Sequence, residues 1–159
     1  MKTAGRDFIG LGVGAFIVNN KNKVLLMLRS KYLPDDRTTV GMWSIPGGQV
    51  HFGETCKAAV AREAKEELGI GIEIVKLIGY TDQILKTKNL HWHSMHYLCK
   101  IKKGTPTIKE PDKCDAIKWF PLKKLPSNAG ITHVVRPTYL LGKMKQAEYN
   151  RRLLVTSES

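Results

Sequence analysis

A chain of 159 residues, 42% hydrophobic and 25% charged, has room for one domain with a sizeable core and the composition of an ordinary globular protein. Its 26 Lys and Arg against 14 Asp and Glu give a formal net charge of +12, which favours anionic partners such as nucleotides, polyphosphates or nucleic acid without choosing among them. No apolar run reaches the length of a membrane span, and no signal-peptide core opens the chain. Cys56, Cys99 and Cys114 have no zinc-like spacing, so reduced thiols in a cytoplasmic protein with no membrane partner are expected.

Residues 1–10 are mixed in character and read as a mobile lead-in. Leu11 to Val18 is rich in glycine and β-branched residues and predicts a buried strand; Lys23 to Arg29 predicts a second. Asn19-Asn20-Lys21-Asn22 supplies turn chemistry between them, so the two are expected to pair as a hairpin. Arg29, at its strand's end, can reach a phosphate or make a surface ion pair. Residues 31–40, with Pro34, Asp35 and Asp36, read as a polar loop. Trp43 to Pro46 should be a short extended segment delivering Gly47 and Gly48, where the missing side chains let backbone approach a ligand closely.

Thr55 is an N-cap for an alanine-rich run, and Gly69 sits where a left-handed C-cap would stop that helix. Glu63, Glu66 and Glu67, at i, i+3 and i+4, share one face; Val60, Ala61, Ala64 and Leu68 form the adjoining apolar stripe. Like charges at i, i+4 repel by roughly 0.2–0.5 kcal/mol per pair. A divalent cation such as Mg²⁺, a hard ion held by carboxylates together with substrate phosphates, turns that repulsion into binding. A solvated glutamate-rich face is the plainer account of the glutamates taken alone. Glu54, Arg62 and the two bounding glycines argue for more.

Together these residues resemble the signature of the Nudix (MutT-type) hydrolases, G-x5-E-x7-R-E-U-x-E-E-x-G-U with U a bulky aliphatic residue, over positions 48–70. Gly48, Glu54, Arg62, Glu63, Glu66, Glu67 and Gly69 match the fixed positions, a coincidence expected on the order of once in 10⁸ starting positions at average usage. Ala64 is smaller than the usual aliphatic there, which points to tight packing. The lead-in Gly41 to Gly47 is also similar to the family's. The strand-helix-strand pattern gives an α/β protein. The resemblance implies a single domain over 1–159, an α/β/α sandwich on a mixed β-sheet.

After the helix, Ile72 to Tyr80 reads as a strand, residues 82–89 as a polar hairpin loop, and His91 to Ile101 as another strand. Period-2 alternation puts His91, His93, Met95 and Tyr97 on one face, with Trp92, Ser94, His96 and Leu98 on the other. The histidines have no fourth soft ligand spaced with them, so contact with a base or phosphate suits them better than a transition metal. Residues 102–113 form a lysine- and proline-rich loop carrying Glu110. Ala116 to Phe120 is the last strand. Residues 131–148 should form the final helix, with Pro137 near its first turn and Gly142 weakening it, and the polar tail from Tyr149 should fray.

The resemblance implies hydrolysis of a phosphoanhydride in a nucleoside diphosphate linked to a group X, with Mg²⁺ (or Mn²⁺) as cofactor. The metal ligands would be Glu63, Glu66, Glu67, the Gly47 carbonyl and an additional acidic residue downstream, for which Glu110 is placed, though Glu110 also reads as a plain loop charge. Arg62 would orient a neighbouring glutamate, with Glu66 its i+4 partner, and Glu54 would brace the loop-helix-loop. Which carboxylate, Glu66 and Glu67 among them, takes the proton of the attacking water stays open. Arg29 and Gly48 are candidate phosphate contacts. Trp119, at a strand end, is a candidate for stacking on the base or for packing in the core; Tyr80, Met95 and His96 are the other base candidates. A nucleoside triphosphate cleaved to monophosphate and pyrophosphate is the expected substrate. Nucleotide sugars and dinucleoside polyphosphates are alternatives, as is a silent nucleotide-binding regulator, against which the intact glutamates argue. No aromatic-interleaved basic motif marks nucleic-acid binding, and a homodimer stays open.

Overall fold

The structure, a computed structural model, describes residues 2–31 and 39–157, with side chains through 154. The loop expected over 31–40 thus falls largely on 32–38, outside the described residues.

The strands are β1 (Gly10–Ile17), β2 (Lys23–Arg29), β3 (Trp43–Ser44), β4 (Gly47–Gln49), β5 (Gly71–Leu85), β6 (Leu90–Lys103) and β7 (Cys114–Pro121). They form a four-stranded sheet in the order β4-β1-β6-β5 and a three-stranded sheet in the order β3-β2-β7. Only β1 and β6 run parallel; the other pairs are antiparallel. Helix α1 (Cys56–Leu68) covers one side, and a π-turn at Ile131–Val135, α2 (Arg136–Leu140) and α3 (Gln146–Ser157) cover the other.

Alternation along β1 and β2 explains the layering. Val13, Ala15, Ile17, Leu25 and Met27 pack toward α1; Phe16, Val24 and Leu26 pack toward Val134 and Val135 on the opposite side. Strands buried on both faces must be apolar at every position, which is why both read as near-continuous apolar runs. This is the α/β/α sandwich that was expected, its mixed sheet being the four-stranded one.

The β1–β2 connection is not the hairpin expected. Asn19 Oδ1 does accept from the N–H groups of Lys21 and Lys23 at 3.0 and 3.1 Å, closing the turn. Beyond one bridge, Val18 to Val24, the strands part, because β1 has both edges taken by β4 and β6 and β2 by β3 and β7. The loop expected over 82–89 is also corrected. Pairing continues from Asp82–His93 to Leu85–Leu90, closed by a 3₁₀ turn at Lys86–Lys88 and by Asn89 at φ 48°. Its polar composition belongs to an edge strand with a wet face.

The helix expected over 131–148 is broken. Pro137 has no N–H to give the carbonyl four residues back, and the backbone just ahead of it widens into a π-turn. Gly142, at φ 68°, ends the next segment in the left-handed region. Nor does the tail fray at Tyr149. α3 runs on to Ser157, tied down by Arg152, which donates to the carbonyls of Pro126 and Leu125 at 3.1 and 3.2 Å, and by Tyr149 stacked on Tyr139. The lead-in is docked as well: Gly5 N donates to Phe8 O and Gly5 O accepts from His91 N, both at 2.8 Å. No helix among the described residues is long and apolar enough to cross a membrane.

Candidate active site

The acidic helix face is fixed at both ends. Thr55 accepts from Ala58 N–H at 3.1 Å, and Gly69 closes the C-terminus at φ 69°. Ala59, Val60, Ala64 and Leu68 are fully buried beneath α1, so the helix cannot roll without opening the core. Ala64 is small because it sits flat against that core.

β4 brings Gly47 and Gly48 beneath the same face. A β-carbon at Gly47 would stand 2.1 Å from Val13 O, and one at Gly48 would stand 2.4 Å from Glu63 Oε1. Gly47 therefore admits only hydrogen against the β1 backbone, and the bare backbone at Gly48 lets the Glu63 carboxylate lie directly on it. Gly47 N–H donates to Glu67 Oε2 at 2.8 Å, while Arg29 Nη1 lies 3.4 Å from Glu67 Oε1.

Glu67 is 4% exposed. Burial pushes its carboxyl up to about 7; the Gly47 N–H and Arg29 pull the other way, and Glu63 and Glu110 add repulsion. Glu110 is thus within electrostatic reach of Glu67, in a loop tied on by Lys109 N–H donating to Glu67 O at 3.0 Å. Its own carboxylate is paired with Lys113 at 2.6 Å.

Arg62 is the hub of the remaining charges, with more partners than the single glutamate the sequence suggested. It donates through Nε and Nη2 to both oxygens of Glu54 at 2.9 and 3.1 Å, and through Nη1 to Glu63 at 2.7 Å and Glu66 at 3.0 Å. Nη2 also reaches Gln49 O at 3.0 Å. The bidentate grip and the His51 N–H hold the Glu54 carboxyl below its usual range, and Glu54 in turn raises the arginine. This network locks the loop before α1 to the helix.

Among the described residues, no three acidic, histidine or cysteine side chains converge closely enough to hold an ion as they stand. The donor chemistry fits a hard cation nonetheless: carboxylate oxygens of Glu63, Glu66 and Glu67 on one helical face, Glu110 within electrostatic reach of Glu67, and no soft ligand among them. Arg62 now supplies the positive charge that Glu63 and Glu66 share. Gly47 meets this face through its N–H.

A cavity of about 460 Å³ opens beside Gly47 and Gly48, lined also by Arg29, His133, Ser94 and Trp92, a size typical of small-molecule sites. Among the described residues, Arg29 Nε is buried without a hydrogen-bond partner. His96 is buried behind this wall, its Nε2 3.2 Å from His133 Nδ1. Burial drives His96 down to about 3 and His133 down to about 4, so both rings are neutral at pH 7.

The candidate residues therefore divide. The glutamates, Arg62, Gly47, Gly48, Arg29 and Glu110 gather at the box end. His96 stands one layer behind the cavity. Met95 and Trp119 are half-buried and pack against the core beneath α1, on the face of the sheets away from the cavity. Tyr80 is 58% exposed and leans on His93. His133 and Trp92 line the cavity without having been singled out. The shared face of Trp92, Ser94 and His96 was a signal for the second; nothing in the sequence marked the first.

Similarity to known proteins agrees with this geometry. Residues 9–139 match the NUDIX domain model. A MutT NUDIX hydrolase from Burkholderia pseudomallei is 34% identical, with a TM-score of 0.75 over 83% of this chain and 97% of that one. An ADP-ribose pyrophosphatase from Methanocaldococcus jannaschii is 30% identical over 71% of this chain and 63% of its own length. A putative nudix hydrolase from Caenorhabditis elegans is 29% identical over 77% of this chain and 32% of its own length. The chain spans only 32–40% of the length of the curated relatives it first matches. With the domain model covering most of its length and the signature residues gathered on and around one helix, the chain belongs to the Nudix hydrolase family.

Proposed function

We propose that the chain hydrolyses a phosphoanhydride of a nucleoside diphosphate linked to X, using a divalent cation of the kind this family generally employs. The leading substrate is a nucleoside triphosphate, giving the monophosphate and pyrophosphate. The observation that carries the reading is Arg29. Among the described residues its Nε is buried without a partner beside the cavity, and a phosphate oxygen entering there would complete a donor that is costly to leave unpaired.

Glu63, Glu66 and Glu67 would hold the cation, with Glu110 in support. Bound there, the cation supplies charge neutralisation on the phosphates and acidifies water. The chain's own residues do the rest. Arg29 and the Gly47 N–H fix Glu67, Arg62 fixes the loop and the glutamate spacing, and Gly48 leaves room for the Glu63 carboxylate against the backbone. A water oxygen bonds to phosphorus as the bridging P–O bond breaks, and one of the carboxylates takes the proton. Phosphoryl transfer asks mostly for positioning and charge of this kind.

A second reading is favoured by the cavity's extent beyond the box, which leaves room for a sizeable X. Relatives are described as an ADP-ribose pyrophosphatase and a NAD-capped RNA hydrolase NudC. The three thiols are free, which suits the cytoplasmic setting. A panel of nucleoside triphosphates, ADP-ribose, nucleotide sugars and dinucleoside polyphosphates, assayed for released phosphate or pyrophosphate, tests both readings. Activity should vanish in chelator and return with millimolar Mg²⁺ or Mn²⁺. Tight nucleotide binding with no turnover across the panel in either metal would point to a regulator instead.

A further inference from the structure

The cavity does not stop at the box. It continues along β1 past Gly12 and Gly14; these and Gly10 occupy alternate positions paired with Ser94, His96 and Trp92 of β6. A β-carbon at Gly12 would come within 2.7 Å of Ser94 Oγ, and one at Gly14 within 2.5 Å of Ile45 Cδ1. The strand backbone at Gly12 and Gly14 forms part of the cavity's floor, with the side chains of Ser94 and Ile45 closing over it. Since Gly14 pairs with Gly47, one end of this floor is the box. Gly10 lies four residues on, roughly 13 Å away at strand spacing.

At that far end stands Trp92. β-carbons at Gly10 and Gly5 would fall 2.5 and 2.2 Å from its indole, so the ring is laid across two glycines, one from β1 and one from the N-terminal turn. His91 N–H donates to Gly5 O at 2.8 Å, and Asn89 Nδ2 to Arg6 O at 3.4 Å, pinning the turn to β6. Thr3, Ala4 and Arg6 line the same cavity as Trp92. The result is a channel with a cationic, phosphate-ready end at Arg29 and an aromatic wall about a nucleoside's length away.

We propose that the substrate's nucleoside lies along this cavity, its phosphates at Arg29 and the box and its base against the indole of Trp92, with the N-terminal turn closing the end. The assignment rests on the phosphoanhydride reading above. A flat indole is a sequence-tolerant platform for any base. The competing aromatics are badly placed: Trp119 packs beneath α1 and Tyr80 is turned to solvent against His93.

Tryptophan fluorescence tests it, because the chain has three indoles, Trp43, Trp92 and Trp119. The probes are α,β-methylene ADP, which resists cleavage at that bond, and inorganic pyrophosphate, each titrated in Mg²⁺. The analogue should quench wild type and W119F. In W92F most of the quench should be lost and the analogue should bind at least tenfold more weakly, with pyrophosphate affinity unchanged. Should W92F fold poorly, G12A displaces the Ser94 hydroxyl in the cavity wall instead and should likewise weaken the analogue tenfold while sparing pyrophosphate. Unchanged analogue affinity and quench in W92F, unchanged affinity in G12A, or loss of quench in W119F would overturn the assignment. Hydrolysis on the panel with Trp92-independent binding sinks this inference alone. Trp92-dependent binding without hydrolysis supports it and sinks the enzymatic reading.

Discussion

Removing Arg62 should cost the protein stability before it costs anything else. Five hydrogen bonds converge on this guanidinium, four of them to carboxylate oxygens of Glu54, Glu63 and Glu66. Breaking a buried ion pair by deleting one partner costs about 3–5 kcal/mol. Arg62 keeps 22% of its side-chain surface in water and Glu66 54%, so solvent screening lowers the expected loss to about 2–4 kcal/mol. At roughly 2–4 °C per kcal/mol for a chain of this length, Arg62→Ala should melt about 5–15 °C below wild type. A second signature separates an electrostatic hub from a merely bulky side chain. With the guanidinium gone, Glu63 and Glu66 lack a counter-charge, so millimolar Mg²⁺ should raise the melting temperature of the variant more than that of wild type. Arg62→Lys should fall between the two, since an ammonium replaces the charge but not the fork. Melting within about 2 °C of wild type, or an identical response to Mg²⁺, would refute the reasoning.

Glu67→Gln should lower kcat by roughly 10²–10⁴-fold without lowering the melting temperature, since the amide oxygen can still accept from Gly47 N–H and burial disfavours the charge; a folded variant turning over like wild type would remove this helix face from the chemistry. Stability, read as the urea unfolding free energy from pH 7 to pH 5, should fall on acidification. His96 and His133 are depressed to about 3 and about 4, so their stabilisation is complete above pH 6.5 and is lost as the unfolded chain takes up protons below it. Glu67, raised to about 7, has the opposite sign between pH 4.5 and 7, leaving a net loss of about 1 kcal/mol per pH unit. His96→Asn should flatten the slope, and stability that rises on acidification would contradict it. RNA should bind weakly at physiological salt and compete poorly with nucleotides, the net charge of +12 serving to attract small polyphosphates. Micromolar RNA binding that falls steeply with salt, with capped RNA cleaved faster than free nucleotides, would show the opposite.

What the sequence made legible was local chemistry. Thr55 and Gly69 bound α1 as capping rules require. Val60, Ala64 and Leu68 of the apolar stripe are buried as their period implies, whereas Ala61 is exposed and Ala59 is buried beside them instead. Pairing was less legible, because the partner of a strand is not written in the strand. Lys23 to Arg29 follows a good turn, yet each of its edges is satisfied by a distant segment, β3 or β7. Residues 82–89 are polar enough to pass for a loop because a wet edge strand needs no apolar alternation. The break in the last helix had two visible causes, Pro137 and Gly142. The anchoring of α3 had none, since it depends on Arg152 finding the carbonyls of Leu125 and Pro126.

The same division runs through the site. Helical spacing alone places Glu63, Glu66 and Glu67 together, because residues one turn apart cannot avoid each other. The rest of the cavity comes from register. Alternation on β6 separates Trp92, Ser94 and His96 from His93, Met95 and Tyr97, but it says nothing about which set faces open space. Parallel pairing with β1 decides that, by setting Gly10, Gly12 and Gly14 beside Trp92, Ser94 and His96. Side chains on β1 at those positions would collide with Trp92, Ser94 and Ile45; hydrogens let the indole lie flat on the strand at the cavity's edge. Trp119 lacks this arrangement. Its partner on β2 is Leu25, 1% exposed, so its indole joins a packed layer. Two tryptophans on two strands thus differ in environment because of glycine or leucine on the neighbouring strand, a difference that no inspection of either strand alone could supply.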